Sequence, residues 1–301
     1  MLLVSVLCFV LVKAAPGDPV LAYVQPNMSE AYIAGMRESL GLTKPLYIQY
    51  FIWFGNIIHG NFGNSLVNTR PVLQQILERI PATLLLSGLS LLLGLLLSVP
   101  LGLFSGKYKN GVLDKITGAL SYIGISIPTF WFGILLIYLF GVTLHWLPTI
   151  GMRSDGIHTF FDLLRHLVLP CAVLTFTNTA QFTQYIRSST ITELSSDYVL
   201  VQRANGLSEQ GILFRHVLKN AILPMITVMG ISLQSVVSGA IITEQVFAWP
   251  GTGQLAVTAV STFDYPLIMG ITMFTALMIV IGNLLADILY TVVDPRIRAS
   301  S

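Results

Sequence analysis

The stretch Ala82-Thr83-Leu84-Leu85-Leu86-Ser87-Gly88-Leu89-Ser90-Leu91-Leu92-Leu93-Gly94-Leu95-Leu96-Leu97-Ser98-Val99-Pro100-Leu101-Gly102-Leu103-Phe104-Ser105-Gly106 contains no charged side chain. A helix of about 20 apolar residues crosses the roughly 30 Å of hydrocarbon in a bilayer. This run is long enough to do so, and leucine fills most of Leu84 to Leu97. Four more runs pass the same test: Ile116 to Met152, Leu167 to Ile186, Ala221 to Thr243 and Tyr265 to Ala286. The second is too long for one span. Trp146-Leu147-Pro148 reads as a loop, so its helix is expected to end near Phe140.

The whole chain agrees with that reading. Its 301 residues are 54% hydrophobic and 10% charged, with a mean hydropathy of +0.75. Soluble domains carry about 25% charged residues, and a soluble globule this apolar would expose large greasy patches and aggregate. A net charge of +2 gives no case for a nucleic-acid partner. Cys8 and Cys171 both lie in apolar segments and read as buried small hydrophobes rather than as a disulfide or part of a zinc site.

Met1 to Val12 is also apolar, but twelve helical residues reach only about 18 Å. A signal-peptide core would have a basic flank before it and a small-residue cleavage site after it, and neither is present. The expectation is a first transmembrane helix, incomplete over 1–13. The fold class is then all-α and polytopic with six transmembrane helices. A segment at 14–80 lies outside the membrane, a five-helix region spans 81–290, and a tail follows at 291–301.

Orientation follows the Lys and Arg content of short loops. Lys107, Lys109 and Lys115 mark one such loop, Arg187, Arg203, Arg215 and Lys219 a second, and Arg296 and Arg298 the tail. On the opposite face, 141–166 has only Arg153 and Arg165 and 244–265 has no basic residue. The stretch from Lys13 to Arg79 has five, but one that long is translocated regardless of charge. Both termini are therefore expected in the cytoplasm. In the long external segment, Pro16-Gly17-Asp18-Pro19 interrupts the chain. Ser29 and Gly41 could bound one short helix, and Pro45 could begin another carrying Tyr47, Tyr50, Phe51 and Phe54. The segment could form a lid or a packing cap.

The segment 187–220 reads as helix, glycine turn, helix. Ser195 or Ser196 caps a helix through Val199, Leu200 and Arg203, and Asn205-Gly206 stops it. Ser208 caps a second helix through Ile212, Leu213, Phe214 and Val217 to Asn220, with Pro224 beyond. Such a hairpin could lie on anionic lipid or dock to a cytoplasmic partner.

Polar residues within spans rarely face lipid. Asn178, Gln181 and Gln184 recur every three residues and are expected to share a helix face. Gln234 and Ser238 are four apart on the next span. These five could line a translocation path or hydrogen-bond helix to helix. Glu244, Trp249 and Asp264 are expected at the outer mouth.

The minimal parts of an enzyme are missing. Gly102-Leu103-Phe104-Ser105-Gly106-Lys107 has too few residues between its glycines for a phosphate loop, and Tyr108 stands where Ser or Thr is needed. No H-E-x-x-H or G-x-S-x-G pattern occurs. His59, His145, His158, His166 and His216 all fall outside the spans or at their ends.

The run Asp197-Tyr198, Arg203-Ala204-Asn205-Gly206-Leu207-Ser208, Arg215-His216 through Pro224 resembles the coupling loop of ABC importer permeases. Four other stretches are similar to the peptide/nickel branch of that family: Pro16-Gly17-Asp18-Pro19; Leu40-Gly41-Leu42 through Pro45-Leu46 to Gln49-Tyr50; Phe247-Ala248-Trp249-Pro250-Gly251; and Asp294-Pro295-Arg296-Ile297-Arg298. The matches cover nearly the whole chain in the expected order. Two departures are a short N-terminus and Val201-Gln202-Arg203-Ala204 in place of an acidic-alanine-alanine start.

The resemblance implies a type I importer fold and a non-catalytic subunit that binds no cofactor of its own. ATP and magnesium would sit on two partner ATP-binding subunits. A second homologous permease, an extracytoplasmic substrate-binding protein and the lipid of the bacterial inner membrane complete the expected assembly. Asp197, Tyr198, Arg203, Ala204, Gly206, Leu207, Arg215, His216 and Pro224 would form the ATPase-coupling loop. Small peptides are the first expectation for cargo, with nickel or another small solute behind. The rivals are an ion-driven secondary transporter, which would show charges within its spans and inverted repeats, and an intramembrane enzyme.

Overall fold

A computed structural model describes residues 1–14, 35, 38, 43–223, 225, 236 and 240–293, the last helix beyond 284 mainly as backbone. The described elements are helical. In chain order they are α1 (Leu2–Ala14), α2 (Leu46–Ile58), α3 (Val72–Lys107), α4 (Val112–Ser126), α5 (Thr129–Thr143) and α6 (Phe160–Leu194). After these come α7 (Asp197–Ala204), α8 (209–221), α9 (Ile241–Val246), α10 (Thr252–Ser261) and α11 (Tyr265–Val293). Among the described residues, three helices are long and apolar enough to cross a membrane, or four if α4 and α5 form one bent span. The chain is a multi-pass membrane protein. Its expected fifth span falls mostly outside the described residues, as do Gln234, Ser238, Pro224 and the motifs at 16–19, 40–42 and 294–298.

Helix α3 begins ten residues before the charge-free run and is 36 residues long. It carries Pro81 and Pro100 and widens to a π-helical turn at Leu84–Gly88. Its long contact with α6 rests on small residues four apart: Ser90, Gly94, Ser98, Gly102 and Gly106 are all buried. A Cβ added at Gly94, Gly102 or Gly106 would lie 2.6–2.7 Å from the Cβ of Asn178, Ile186 or Thr190. Only glycine allows the two backbones this close. Lipid gives no hydrophobic drive between helices, so close packing has to hold them together.

Two expectations about spans need correction. The 116–140 stretch is not one helix. Ile127 is extended (φ −75°, ψ 125°) before Pro128, and the axes of α4 and α5 differ by 102°. Proline disfavours the helical region for the residue before it, so Ile127-Pro128 breaks the run. The stretch 244–265 is not an open loop either. It forms α9 and α10, and Leu255 and Ala259 of α10 are buried against Val72 and Ile76 of α3 and Leu267, Ile271 and Phe274 of α11.

The segment 102–107 that faintly resembles a phosphate loop lies wholly within α3. Both cysteines are buried and free. Helix α1 packs on α2 and α11: Phe9 meets Tyr50 and Trp53, and the Ser5 and Tyr50 hydroxyls are 2.8 Å apart.

Candidate functional site

Helix α7 ends at Asn205, and Gly206 follows at φ +77°. Gly206 N donates to Arg203 O at 3.0 Å and Leu207 N to Gln202 O at 3.2 Å. These paired bonds are the Schellman closure of a helix, which places its C′ residue in the left-handed region. An added Cβ at Gly206 meets nothing within 4 Å, so the backbone conformation alone asks for glycine. Two residues later Ser208 Oγ accepts from Gly211 N at 3.2 Å and starts α8. Ser196 holds the N-cap position of α7, but its hydroxyl donates back to Thr192 O instead of capping.

The inner face of this hairpin is fixed. Val199, Ile212, Leu213 and Val217 are fully buried against Leu103, with Phe104 and Leu194 alongside. Phe104 and Phe214 meet edge to face at 6.0 Å. The hairpin therefore seats on the ends of both α3 and α6. Its outer side carries exposed apolar side chains among charged ones: Leu200 is 59% exposed, Val201 58% and Phe214 51%, and Leu207 is exposed as well. Asp197 is exposed in the first turn of α7, where the helix dipole favours an acid. Ala204 and Arg215 are also exposed, and His216 is half-buried.

Arg203 is not free for a partner. Its Nε and Nη2 donate to Glu209 Oε1 and Oε2 at 2.7 and 3.1 Å, closing a fork across the turn. The guanidinium holds the Glu209 carboxyl below the usual carboxylate range. Tyr198 Oη and Asn220 Nδ2 both donate to Glu193 Oε2. Burial, and the carboxylate beside it, push the Tyr198 phenol above its ordinary value. Glu193, Glu209 and Asn220 carry these contacts but are not legible as site residues in the sequence, because each partner arrives through the turn.

The polar residues expected on one face of α6 do not share it. Three residues turn a helix by 300°, so each step drifts 60° and Asn178 and Gln184 end 120° apart. Asn178 packs against Gly94 of α3, Gln181 is exposed and Gln184 borders a groove on α4.

Glu244, Trp249 and Asp264 do not present themselves at a mouth. Their exposures are 0%, 0% and 1%. Glu244 accepts from Thr83 Oγ1 and Gln254 N, both at 3.0 Å, so α9 supplies a carboxylate to the N-terminal end of α10. A Cβ at Gly251 or Gly253 would collide with that carboxylate. Trp249 Nε1 donates to Ala82 O at 2.8 Å, beside the π-helical turn of α3. Asp264 accepts from Leu66 N at 3.1 Å, Leu267 N at 3.3 Å and the Ser65 hydroxyl, so it ties the 61–71 loop to the start of α11. Each burial has a reason: amide and hydroxyl donors at a helix start replace the water these groups lose.

The fold is thus that of a multi-span helical membrane protein in which a hairpin after the long helix α6 is seated on the ends of two spans. The profile of the family described as "Binding-protein-dependent transport system inner membrane component" matches residues 98–299, and that of its N-terminal region matches residues 1–87. The chain belongs to this family.

It is 42% identical to the oligopeptide transport system permease protein AppB of Bacillus subtilis, over 98% of this chain and 94% of that one. It is 36% identical to the probable D,D-dipeptide transport system permease protein DdpB of Escherichia coli, over 98% and 92%. It is 35% identical to the glutathione transport system permease protein GsiC of Salmonella choleraesuis, over 99% and 94%. An inward-facing structure of the MetNI methionine ABC transporter shares the fold, with a TM-score of 0.59 and 16% identity over 74% of this chain and 97% of that one.

Proposed function

We propose that this chain forms one half of the pore of an ATP-driven importer of short peptides, paired with a second, similar permease subunit. ATP hydrolysis is supplied by two separate ATP-binding subunits, or one homodimer of them, and cargo is delivered by an extracytoplasmic binding protein. Both termini face the cytoplasm, as the Lys and Arg distribution favours. Near full-length similarity to permeases named for oligopeptide, dipeptide and glutathione transport supports peptides over nickel as cargo.

The observation that carries the mechanism is the hairpin 195–221. Its apolar crest is free, and its other face is locked onto α3 and α6 through Leu103, Phe104 and Leu194. A push on the crest passes to two long helices, and the glycine contacts at 94, 102 and 106 hold those helices together. Closure of the ATP-binding subunits would move both hairpins and rock the pore between inward-open and outward-open. The test is to purify the chain with its co-purifying subunits and binding protein, then measure which solute stimulates ATP turnover. Stimulation by di- or oligopeptides supports the reading. Stimulation by nickel alone, or uptake that survives ATP depletion under a held ion gradient, contradicts it.

A further inference from the structure

A groove of about 270 Å³ lies between α4 and α6, at the end of α4 that carries Asp114 and Lys115. Lys115, Gly118, Ala119 and Tyr122 line it along one face of α4, at helical spacings of three and four, and Gln184 and Arg187 face them from α6. The floor is open because its residues are small: a Cβ at Gly118 would meet nothing within 4 Å.

Around this groove, Asp114 and Arg187 are partly spent on each other. Asp114 is saturated by Ser105 Oγ at 2.8 Å, Asn110 N at 2.8 Å and Arg187, which uses Nε at 2.5 Å and Nη2 at 2.9 Å. Arg187 Nη1, Lys115 Nζ, the Gln184 amide and the Tyr122 hydroxyl make no hydrogen bond to any described residue. Asp114 cancels Arg187, which leaves Lys115 as a net single positive charge. A cluster of donors with one excess positive charge is matched by one monoanionic oxyanion.

Tyr122 lies two turns below Lys115, about 10 Å further along the helix. Ile123 and Ile125, on either side of it along α4, are exposed apolar side chains. The groove thus has a cationic end and an apolar flank, the order in which a phospholipid presents its phosphate and its acyl chains. A zwitterionic headgroup would bring its own cation against Lys115, so an anionic headgroup fits better.

We propose that the Lys115–Arg187 groove holds the phosphodiester of an anionic phospholipid in the leaflet on the lysine-rich side. The bound phosphate bridges α4 and α6 through Lys115 and Arg187.

The test uses the purified transporter, this chain with its co-purifying subunits, in nanodiscs of mixed phosphatidylglycerol and phosphatidylcholine. Retained lipid is counted by native mass spectrometry. The wild type is expected to keep phosphatidylglycerol in preference to phosphatidylcholine. Lys115→Ala should lower that retention about fivefold, as one lysine near an anionic surface implies. Gly118→Leu should lower it at least as much by filling the groove with all charges kept, and a melting curve like the wild type's would confirm that this variant folds. Equal retention by wild type and both variants overturns the proposal. A second arm titrates inorganic phosphate into the delipidated complex. If phosphate raises its melting temperature with the same dependence on Lys115 and Gly118, and phosphatidylglycerol does not compete, the ligand is a soluble anion and the lipid assignment fails.

Discussion

Tyr198 donates its hydroxyl hydrogen to Glu193 Oε2 at 2.8 Å, which ties the start of the hairpin to the last turn of α6. Asn220 Nδ2 reaches the same oxygen at 3.2 Å from the far end of α8. A single carboxylate therefore gathers the start of the hairpin, its end and the long helix before it.

Tyr198→Phe removes a hydrogen bond to a carboxylate, an interaction of about 1.5–3 kcal/mol. Peptide uptake per ATP hydrolysed is expected to fall several-fold while the complex still assembles, because the apolar seat around Val199 and Leu213 is kept. Glu193→Gln should cost less, since its amide oxygen still accepts. Transport and ATPase rates measured together in proteoliposomes check both.

Gly206→Val forces a β-branched residue into a left-handed backbone at a cost of about 1–2 kcal/mol. No neighbour is struck, so the damage stays in the turn. ATP-coupled uptake should drop, and Gly206→Asn, which tolerates that backbone, should restore much of it.

Gly102→Val inserts a side chain where even a Cβ falls 2.6 Å from Ile186 Cβ. Overpacking of this kind costs about 1–3 kcal/mol or more, and the detergent-solubilised chain should melt several degrees lower. Gly55→Ala in α2 meets nothing within 4 Å and should leave the melting temperature unchanged or slightly raised.

Glu244→Ala strands the donors of Thr83 and Gln254, at about 1–3 kcal/mol. Gly251→Ala alone should be severe because its methyl enters the carboxylate. In the Glu244→Ala background the same change should be milder, and that non-additivity is read from a double-mutant cycle on melting temperature.

The Arg203–Glu209 fork is exposed on both sides, 40% and 52%, and its contribution is modest and weakened by salt. The folded Glu209 carboxyl is held below its ordinary value, so its stabilisation is complete above the unfolded pKa, about 4.3. It is lost as pH falls through the lowered folded value. Hydrogen exchange at Gly206 and Leu207 should be protected by this pair at neutral pH and protected less in strong acid. Arg203→Ala should abolish that acid dependence.

The hairpin was legible because its signals are local. Asn205-Gly206 and Ser208 act within three residues of themselves, and the apolar spacing of Ile212, Leu213 and Val217 marks the buried face. The spans at 82–106, 167–186 and 265–286 were legible in the same way, whereas at Pro128 a long apolar run hid a break that the proline itself announces. Contacts that depend on the fold were not legible. Arg203 and Glu209 are six apart, a spacing no helix brings together, and Glu193 meets Asn220 across 27 residues.

The acids at 244 and 264 mislead for a different reason. Charge beside an apolar run suggests exposure, yet each is enclosed by helix-start donors. Gly251 and Gly253, placed where Glu244 arrives, are the trace of this in the sequence. The four-residue spacing of Ser90, Gly94, Ser98, Gly102 and Gly106 was likewise visible, but leucine dominates the run around it.

The central claim is that the crest of the 195–221 hairpin seats on an ATP-binding subunit. Cysteine placed at Leu200 or Phe214 in the assembled complex, followed by crosslinking with and without ATP, tests it most directly. The account predicts a crosslink to the ATP-binding subunit whose yield changes with nucleotide. Cysteines that react only with a lipid-soluble probe, with no such crosslink in either state, would contradict it.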